Sequence, residues 1–293
     1  MKEVVVVSGK GGTGKTSIVA SFAFLAERKV MADCDVDAAD LHLILHPKIR
    51  YCEAFFCGKV ARIETEKCTG CGKCRDLCRF DAISEKYIVD TIDCEGCGVC
   101  YYACPENAVV LEEKKSGEWF ISDTDYGPMV HAKLGIAEEN SGKLVSLVRL
   151  QARRLAEEQN LDLVIIDGAP GIGCPVIASI TGADLVLAVT EPTMSGLHDL
   201  KRVVELAEHF RIKTMICVNK YDINHEIKQD IVDFCEQKKI LFAGQIPYDN
   251  VVTKAQIAGV SVVEYSRAQV SMEIERIWKQ IFYTLSVEAT VRS

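Results

Sequence analysis

Four valines, Val4–Val7, run straight into Gly9-Lys10-Gly11-Gly12-Thr13-Gly14-Lys15-Thr16. An apolar β-branched run, a glycine-rich turn and a helix-forming stretch, in that order, admit few folds. The run reads as a buried strand, the glycines let the backbone turn inward, and Lys15 opens a helix. The spacing G-x4-G-K-[ST] aims backbone N–H groups and a helix N-terminus at phosphate. On this pattern Gly9 to Ser17 contact a nucleotide, Lys15 reaches its β- and γ-phosphates, and the Thr16 hydroxyl ligates Mg2+.

The same grammar continues along the chain. Residues 3–8, 30–35, 163–167, 184–190, 213–219 and 241–246 are short apolar runs closed by turn residues and predict buried strands. Residues 15–28, 143–159, 195–210, 226–238 and 271–285 predict helices between or after them. Such alternation implies an α/β fold with a mostly parallel sheet and a ligand site at the carboxyl ends of its strands. It fails between about Tyr51 and Ser122, where a second module interrupts the first. The expected division is an α/β domain over 1–60 and 115–293 with an insertion over 61–114.

The insertion holds eight of the fourteen cysteines, in a duplicated segment. Residues 68–83 read CTGCGKCRDLCRFDAI and residues 94–109 read CEGCGVCYYACPENAV. Each copy is C-x2-C-x2-C-x3-C, a spacing that wraps thiolates around the corners of a [4Fe–4S] cube. Gly70, Gly72, Gly96 and Gly98 permit the turns and bring amides towards sulfur. Zinc also accepts four cysteines, but two evenly spaced quartets without histidine fit iron–sulfur better.

Composition narrows the partners. Acids outnumber bases 42 to 34, giving a net charge of −8 without a basic run, which argues against nucleic acid as a partner. No stretch of about 18 residues is apolar and uncharged, so no membrane insertion is expected. The start, MKEVVVVSGKGG, lacks the features of a signal peptide. Fourteen cysteines in a chain of 293 residues therefore suggest metal ligation in a reducing, cytoplasmic setting rather than disulfides.

The loop GKGGTGKT, with its early Lys10, resembles the deviant Walker A loop of the MinD/ParA/Mrp group of ATPases, which includes the nitrogenase iron protein. The resemblance implies that Lys10 reaches across a dimer interface to the partner's nucleotide. Val164-Ile165-Ile166-Asp167-Gly168-Ala169-Pro170-Gly171 looks like the group's Walker B strand and switch II, with Asp167 holding Mg2+ through water. Asp35, in Asp33-Cys34-Asp35, falls where the group places its catalytic aspartate, and orients the attacking water. Asp37 and Asp40 then belong to switch I, or are solvated acids at a helix start. Val218-Asn219-Lys220 and Ile246-Pro247-Tyr248-Asp249 resemble the segments that hold the base. Asn219 can read an adenine edge or be a strand-end turn residue.

The cysteine module resembles bacterial two-cluster ferredoxins, in which the fourth cysteine of each copy ligates the other copy's cluster. Carried over, cluster I takes Cys68, Cys71, Cys74 and Cys104, and cluster II takes Cys94, Cys97, Cys100 and Cys78. Arg79 stands where that motif has proline. The whole chain thus resembles a MinD-superfamily P-loop ATPase with an inserted ferredoxin domain, as do its stretches Gly171-Ile172-Gly173-Cys174-Pro175, Thr190–Asp199 and Asn140-Ser141-Gly142-Lys143. The resemblance implies ATP, Mg2+ and two [4Fe–4S] clusters, and a homodimer or a heterodimer with a paralogous ATPase. It also implies a redox or cofactor-assembly protein as partner. Nucleotide-driven dimerisation would be coupled to electron transfer; the alternative is an iron–sulfur or metal-cofactor assembly or carrier ATPase.

Some residues carry weaker signals. Cys174, seven positions after Asp167, is a packed small residue, a reactive or transiently metal-binding thiol, or an intersubunit cluster ligand. His42, His46, Cys52 and Cys57 could outline a third metal site, or be ordinary surface and packed residues. Cys34, Cys217 and Cys235 read as buried apolar residues. Ile274, Ile277, Trp278, Ile281, Phe282 and Leu285 form one helical face, and the mixed charges opposite favour core packing over membrane binding.

Overall fold

A computed structural model describes residues 1–135 and 141–291. By contacts the chain separates into a larger unit, Met1–Cys52, Trp119–Lys133 and Ser141–Ser293, and a smaller one built chiefly on Glu53–Glu118. The expected seams near 60 and 115 fall inside two long strands, and so does the contact division, at Cys52/Glu53 and Glu118/Trp119.

The strands are β1 (Lys2–Ser8), β2 (Lys29–Asp33), β3 (Lys48–Ile63), β4 (Val109–Thr124), β5 (Gly127–Leu134), β6 (Leu163–Pro170), β7 (Leu185–Thr190), β8 (Lys213–Asn219) and β9 (Leu241–Ile246). They lie in the order β3-β4-β5-β2-β6-β1-β7-β8-β9. From β5 to β9 every neighbouring pair is parallel. β1 sits between β6 and β7, so Val4–Val7 are fully buried, which explains an unbroken apolar run without alternation.

The helices are α1 (Lys15–Leu25), α2 (His42–Leu45), α3 (Lys73–Asp76), α4 (Val99–Ala103), α5 (Ser141–Glu158), α6 (Cys174–Ile180), α7 (Met194–His209), α8 (His225–Lys238), α9 (Asn250–Ile257), α10 (Val262–Tyr265) and α11 (Gln269–Val291). α1 and α11 share one core, with the rings of Phe22 and Trp278 5.0 Å apart. Ile274, Ile277, Trp278, Ile281 and Leu285 are buried there, but Phe282 is exposed. Phe282 follows Ile281 directly, and one residue turns a helix by about 100°, away from the stripe. Among the described residues no helix is long and apolar enough to cross a membrane.

The structure corrects several boundaries. α1 stops at Leu25, where Ala26 turns extended, rather than at Arg28. β2 stops at Asp33, and β6 runs past Asp167 to Pro170. That continuation needs Gly168, since a Cβ there would stand 2.8 Å from Val7 Cγ1. β3, β4 and β5 were not foreseen: β3 is largely exposed, and neither β3 nor β4 carries a sustained apolar run. The stretch Asn140-Ser141-Gly142-Lys143 begins at Asn140, which lies outside the described residues; Ser141 opens α5.

The smaller unit has a core of Ala61, Ile63, Cys74, Ile83 and Val109, against which Cys68, Cys78, Cys94, Cys100 and Cys104 pack. Its two short helices begin alike. Gly72 and Gly98, equivalent in the repeat, both cap their helices in the left-handed region, at φ 82° and 79°.

Candidate functional site

The carboxyl end of β1 opens into the glycine loop, and β6, β2 and β7 end around it. Gly14 adopts φ 86°, and a Cβ there would stand 2.4 Å from Asn219 Nδ2. Both conformation and space therefore require glycine. Gly11, Gly12, Thr13, Gly14, Lys15, Thr16 and Ser17 line a cavity of about 1120 Å3 together with Asp35 and Asp40. Gly9 instead packs against Asp199, and Asp37 is exposed outside the cavity.

Lys15 is buried in an acidic nest. Its Nζ lies 2.5 Å from Asp167 Oδ1 and 3.3 Å from Asp35 Oδ2. The parallel register of β2 and β6 places Asp33 directly beside Asp167. Burial works against the lysine's charge, yet Asp167 and Asp35 outweigh it and its pKa rises. Burial, and then the charge of Asp167, push Asp33 well above the usual carboxylate range. Asp35 is also raised, by burial, with Lys15 pulling the other way. Three buried carboxyls thus face one ammonium, and Asp33 Oδ2, Asp167 Oδ2 and Thr13 Oγ1 have no hydrogen-bond partner. Orphaned oxygens of this kind suit a hard cation and its water. The lysine expected at the phosphates rests here on the acids instead. Asp33 belongs to this group although only Asp35 was singled out from sequence. The i, i+2 spacing that puts both on one side of an extended segment was the available signal.

A second cavity of about 710 Å3 is lined by Asn219, Lys220, Pro247, Tyr248 and Asp249, and shares Gly12, Gly14, Ser17 and Gln256 with the first. Asn219 serves the loop: Nδ2 donates to the Thr13 carbonyl at 2.7 Å, and Oδ1 accepts from the Lys220 amide at 3.0 Å. Asp249 caps α9 by accepting from the Val251 amide. Gln256, which no pattern marked, donates to Ser17 Oγ at 2.9 Å between the two cavities. Lys10 lies outside both, 3.6 Å from Glu191 and 3.5 Å from Ser195 Oγ.

The cysteines gather around two further cavities. One is lined by Cys68, Cys71, Cys74 and Cys104; the other by Cys78, Cys94, Cys97 and Cys100. Each takes three cysteines from one copy and one from the other. Burial raises the Cys74 thiol, and Cys68 and Cys104 add to it; burial raises Cys100, with Cys94 and Cys97 adding. The Ala108 amide donates to Cys104 Sγ at 3.3 Å. Tyr87, which the spacing did not reveal, lines the first cavity and donates to the Gly70 carbonyl at 2.6 Å. Among the described residues no three His, Cys, Asp or Glu converge closely enough for a single metal ion. In number and type of donor, four thiols around each cavity fit a four-cysteine group.

His42, His46, Cys52 and Cys57 do not assemble a metal site either: His46 Nε2 instead contacts the Gly259 carbonyl at 2.7 Å. Cys34, Cys217 and Cys235 are buried, and burial pushes the Cys217 and Cys235 thiols up to about 12 and 11. Cys174 is exposed at the start of α6.

Residues 4–262 match the model of the CobQ/CobB/MinD/ParA nucleotide-binding domain. The chain belongs to this family. The loop and the acidic nest lie within the matched residues. Two Methanocaldococcus jannaschii proteins are similar along nearly their whole lengths. Uncharacterized protein MJ0578 is 32% identical over 282 residues, 95% of this chain and 96% of its own. Uncharacterized protein MJ0579 is 30% identical over 273 residues, 91% and 93%. Among solved structures, MinD of Pyrococcus horikoshii complexed with Mg-ADP superposes with a TM-score of 0.58 at 16% identity, covering 96% of this chain and 95% of that one. The likeness shows a MinD-like α/β fold.

Proposed function

We propose that this chain is a Mg-dependent ATPase in which nucleotide-driven dimerisation and switch movement are coupled to electron transfer through two [4Fe–4S] clusters. The observation that carries the redox half is the pair of four-cysteine cavities, each drawing its fourth thiol from the other copy. Cys68, Cys71, Cys74 and Cys104 would hold one cluster, and Cys78, Cys94, Cys97 and Cys100 the other. Each cluster supplies reversible one-electron storage when bound.

The nucleotide half rests on the loop cavity and the acidic nest. Gly9 to Ser17 cradle the phosphates, Thr16 and Asp167 serve Mg2+, the latter through water, and Asp35 orients the attacking water. Lys15 then exchanges its carboxylate partners for phosphate oxygens, which leaves those carboxylates to the cation's shell. The second cavity takes the base between Asn219 and Pro247-Tyr248-Asp249. Lys10 leaves Glu191 and Ser195 for the nucleotide of a partner subunit, a second copy or a paralogue. Two full-length relatives in one organism are compatible with a paralogous pair.

Coupling is reciprocal: if ATP shifts the clusters' surroundings, reduction must shift ATP affinity by the same free energy. Mg-ATP is expected to move the cluster midpoint potentials. Reduced and oxidised protein should differ in ATP affinity by about 5–150-fold, a typical range for such coupling. Potentials and affinities indifferent to one another would refute direct gating. The exposed Cys174 beside switch II favours a second reading, an iron–sulfur or metal-cofactor assembly ATPase with a partner-bound cargo, which would then gain.

A further inference from the structure

Glu191, the residue after β7, carries two lysines on one carboxylate. Lys220 Nζ donates to its Oε1 in a close ion pair, while Lys10 Nζ stands farther off, 3.6 Å from Oε2. The turn that bears Glu191 is fixed. Its carbonyl accepts from the Thr193 amide at 2.8 Å, and the Thr193 side chain caps α7. Gly196 has to be glycine there, since a Cβ would stand 2.3 Å from the Glu191 carbonyl oxygen.

The two lysines are held unequally. Lys220 is built into the nucleotide loop: its amide donates to Asn219 Oδ1 at 3.0 Å and its Nζ reaches the Gly12 carbonyl at 3.4 Å. Its backbone is left-handed, at φ 54°, which is uncommon for a residue with a side chain. Lys10 meets Glu191 and Ser195 Oγ, both at the limit of a polar contact, 3.6 and 3.5 Å. The Glu191 side chain is 14% exposed, and a carboxylate so far out of water is strongly destabilising once it has no cation. Lys220 prevents that. When Lys10 departs, the carboxylate keeps its nearer partner.

We propose that Glu191 is the positioning residue for Lys10, holding the amine on its own subunit until a partner's nucleotide takes it, with Lys220 keeping the carboxylate paired during the exchange. This restraint rests on the cross-interface role proposed for Lys10 and adds what sets its threshold. A contact made in the single subunit and lost in the dimer opposes dimerisation by its own free energy.

The test uses the full-length protein and two readouts. The first is the dimer dissociation constant at saturating Mg-AMPPNP, so that nucleotide affinity does not limit any variant. Glu191→Gln keeps an acceptor for Lys220 but removes the charge that holds Lys10, and should tighten the dimer about fivefold, the scale of partly exposed ion pairs released from both subunits. Lys220→Met leaves Glu191 to Lys10 alone and should weaken the dimer by a similar factor. The double variant should return to the Glu191→Gln value, because Lys220 acts on Lys10 through the carboxylate. The second readout is zero-length coupling of amine to carboxylate by a water-soluble carbodiimide, mapped by mass spectrometry. A Lys10–Glu191 link should form in nucleotide-free protein and increase in Lys220→Met. In wild type it should fade with Mg-AMPPNP while the Lys220–Glu191 link persists. A Lys10–Glu191 link that increases in Lys220→Met, in protein that never dimerises, supports the restraint; only the cross-interface reading then fails. No such link in nucleotide-free protein would overturn the restraint. So would dimer constants that move in the same direction in Glu191→Gln and Lys220→Met, or that move in neither.

Discussion

The α/β unit and the cysteine unit are held together by different material. The first has a continuous core that runs from Val4 and Val6 through Phe22 and Ile165 to Ile277 and Trp278. Among the described residues the second has a small core of Ala61, Ile63, Cys74, Ile83 and Val109, with five further thiols packed against it. Burial of apolar side chains stabilises a domain in proportion to area, so the first unit gains far more from its own core than the second. On the two-cluster proposal a bound group would make up the difference, since ligand binding to the native state alone stabilises it by mass action. On that proposal the nucleotide is a visitor to a finished fold, while the clusters would be part of the structure of theirs.

The strongest way to break this contrast is to remove the clusters. Chelation, or Cys71→Ser with Cys97→Ser, should expose the Glu53–Glu118 segment to proteolysis and hydrogen exchange while β1, β6 and β7 stay protected. Unchanged protection of the smaller unit would mean that it folds without its cofactors. Next in size is the P-loop lysine. Lys15→Ala should abolish nucleotide binding in equilibrium titrations yet leave cluster absorbance unaltered. Lys10→Ala should keep binding while ATP-dependent dimerisation and hydrolysis fall together; normal turnover by a monomeric Lys10 variant would contradict its cross-interface role.

The smallest effect separates the units by pH. His131 is largely buried in the α/β unit, donating to or accepting from Ser122 Oγ at 2.9 Å. Burial, aided by His42, lowers its pKa to about 4 from 6.5. The cost of charging it is absent above about pH 6.5, grows as pH falls, and is complete below about pH 4. A shift of that size corresponds to about 3 kcal/mol. The raised carboxyls Asp33 and Asp35 act in the opposite sense, so the histidine is isolated by difference. Between pH 6.5 and 4, denaturation of the α/β unit in His131→Gln should lose less stability than in wild type. Equal losses would remove His131 from the account.

What was legible from sequence follows the same division. Val4–Val7 and the strands that pair beside β1 announced themselves because burial on both faces demands uninterrupted apolar runs. The eight thiols were also readable, because a repeat preserves spacing; their cross-copy grouping was an expectation from the resemblance to two-cluster ferredoxins. β3 and β4 were not, since their mixed side chains carry no sustained apolar run that distinguishes strand from loop. The hold of Asp167 and Asp35 on Lys15 was hidden for another reason. It joins residues far apart in the chain, and only the parallel register of β2 beside β6 brings Asp33 and Asp167 together. Gln256 and Tyr87 are similar cases, placed by tertiary packing without any local signal.

The central claim, two cubane clusters in a P-loop ATPase, is tested most directly by metal and sulfide analysis of anaerobically isolated protein. The account predicts brown protein with about eight iron atoms and eight acid-labile sulfides per chain, the content of two [4Fe–4S] clusters. Cys104→Ser should perturb the same cluster as Cys71→Ser, and Cys78→Ser the same one as Cys97→Ser. Colourless protein with stoichiometric zinc and no labile sulfide would contradict it.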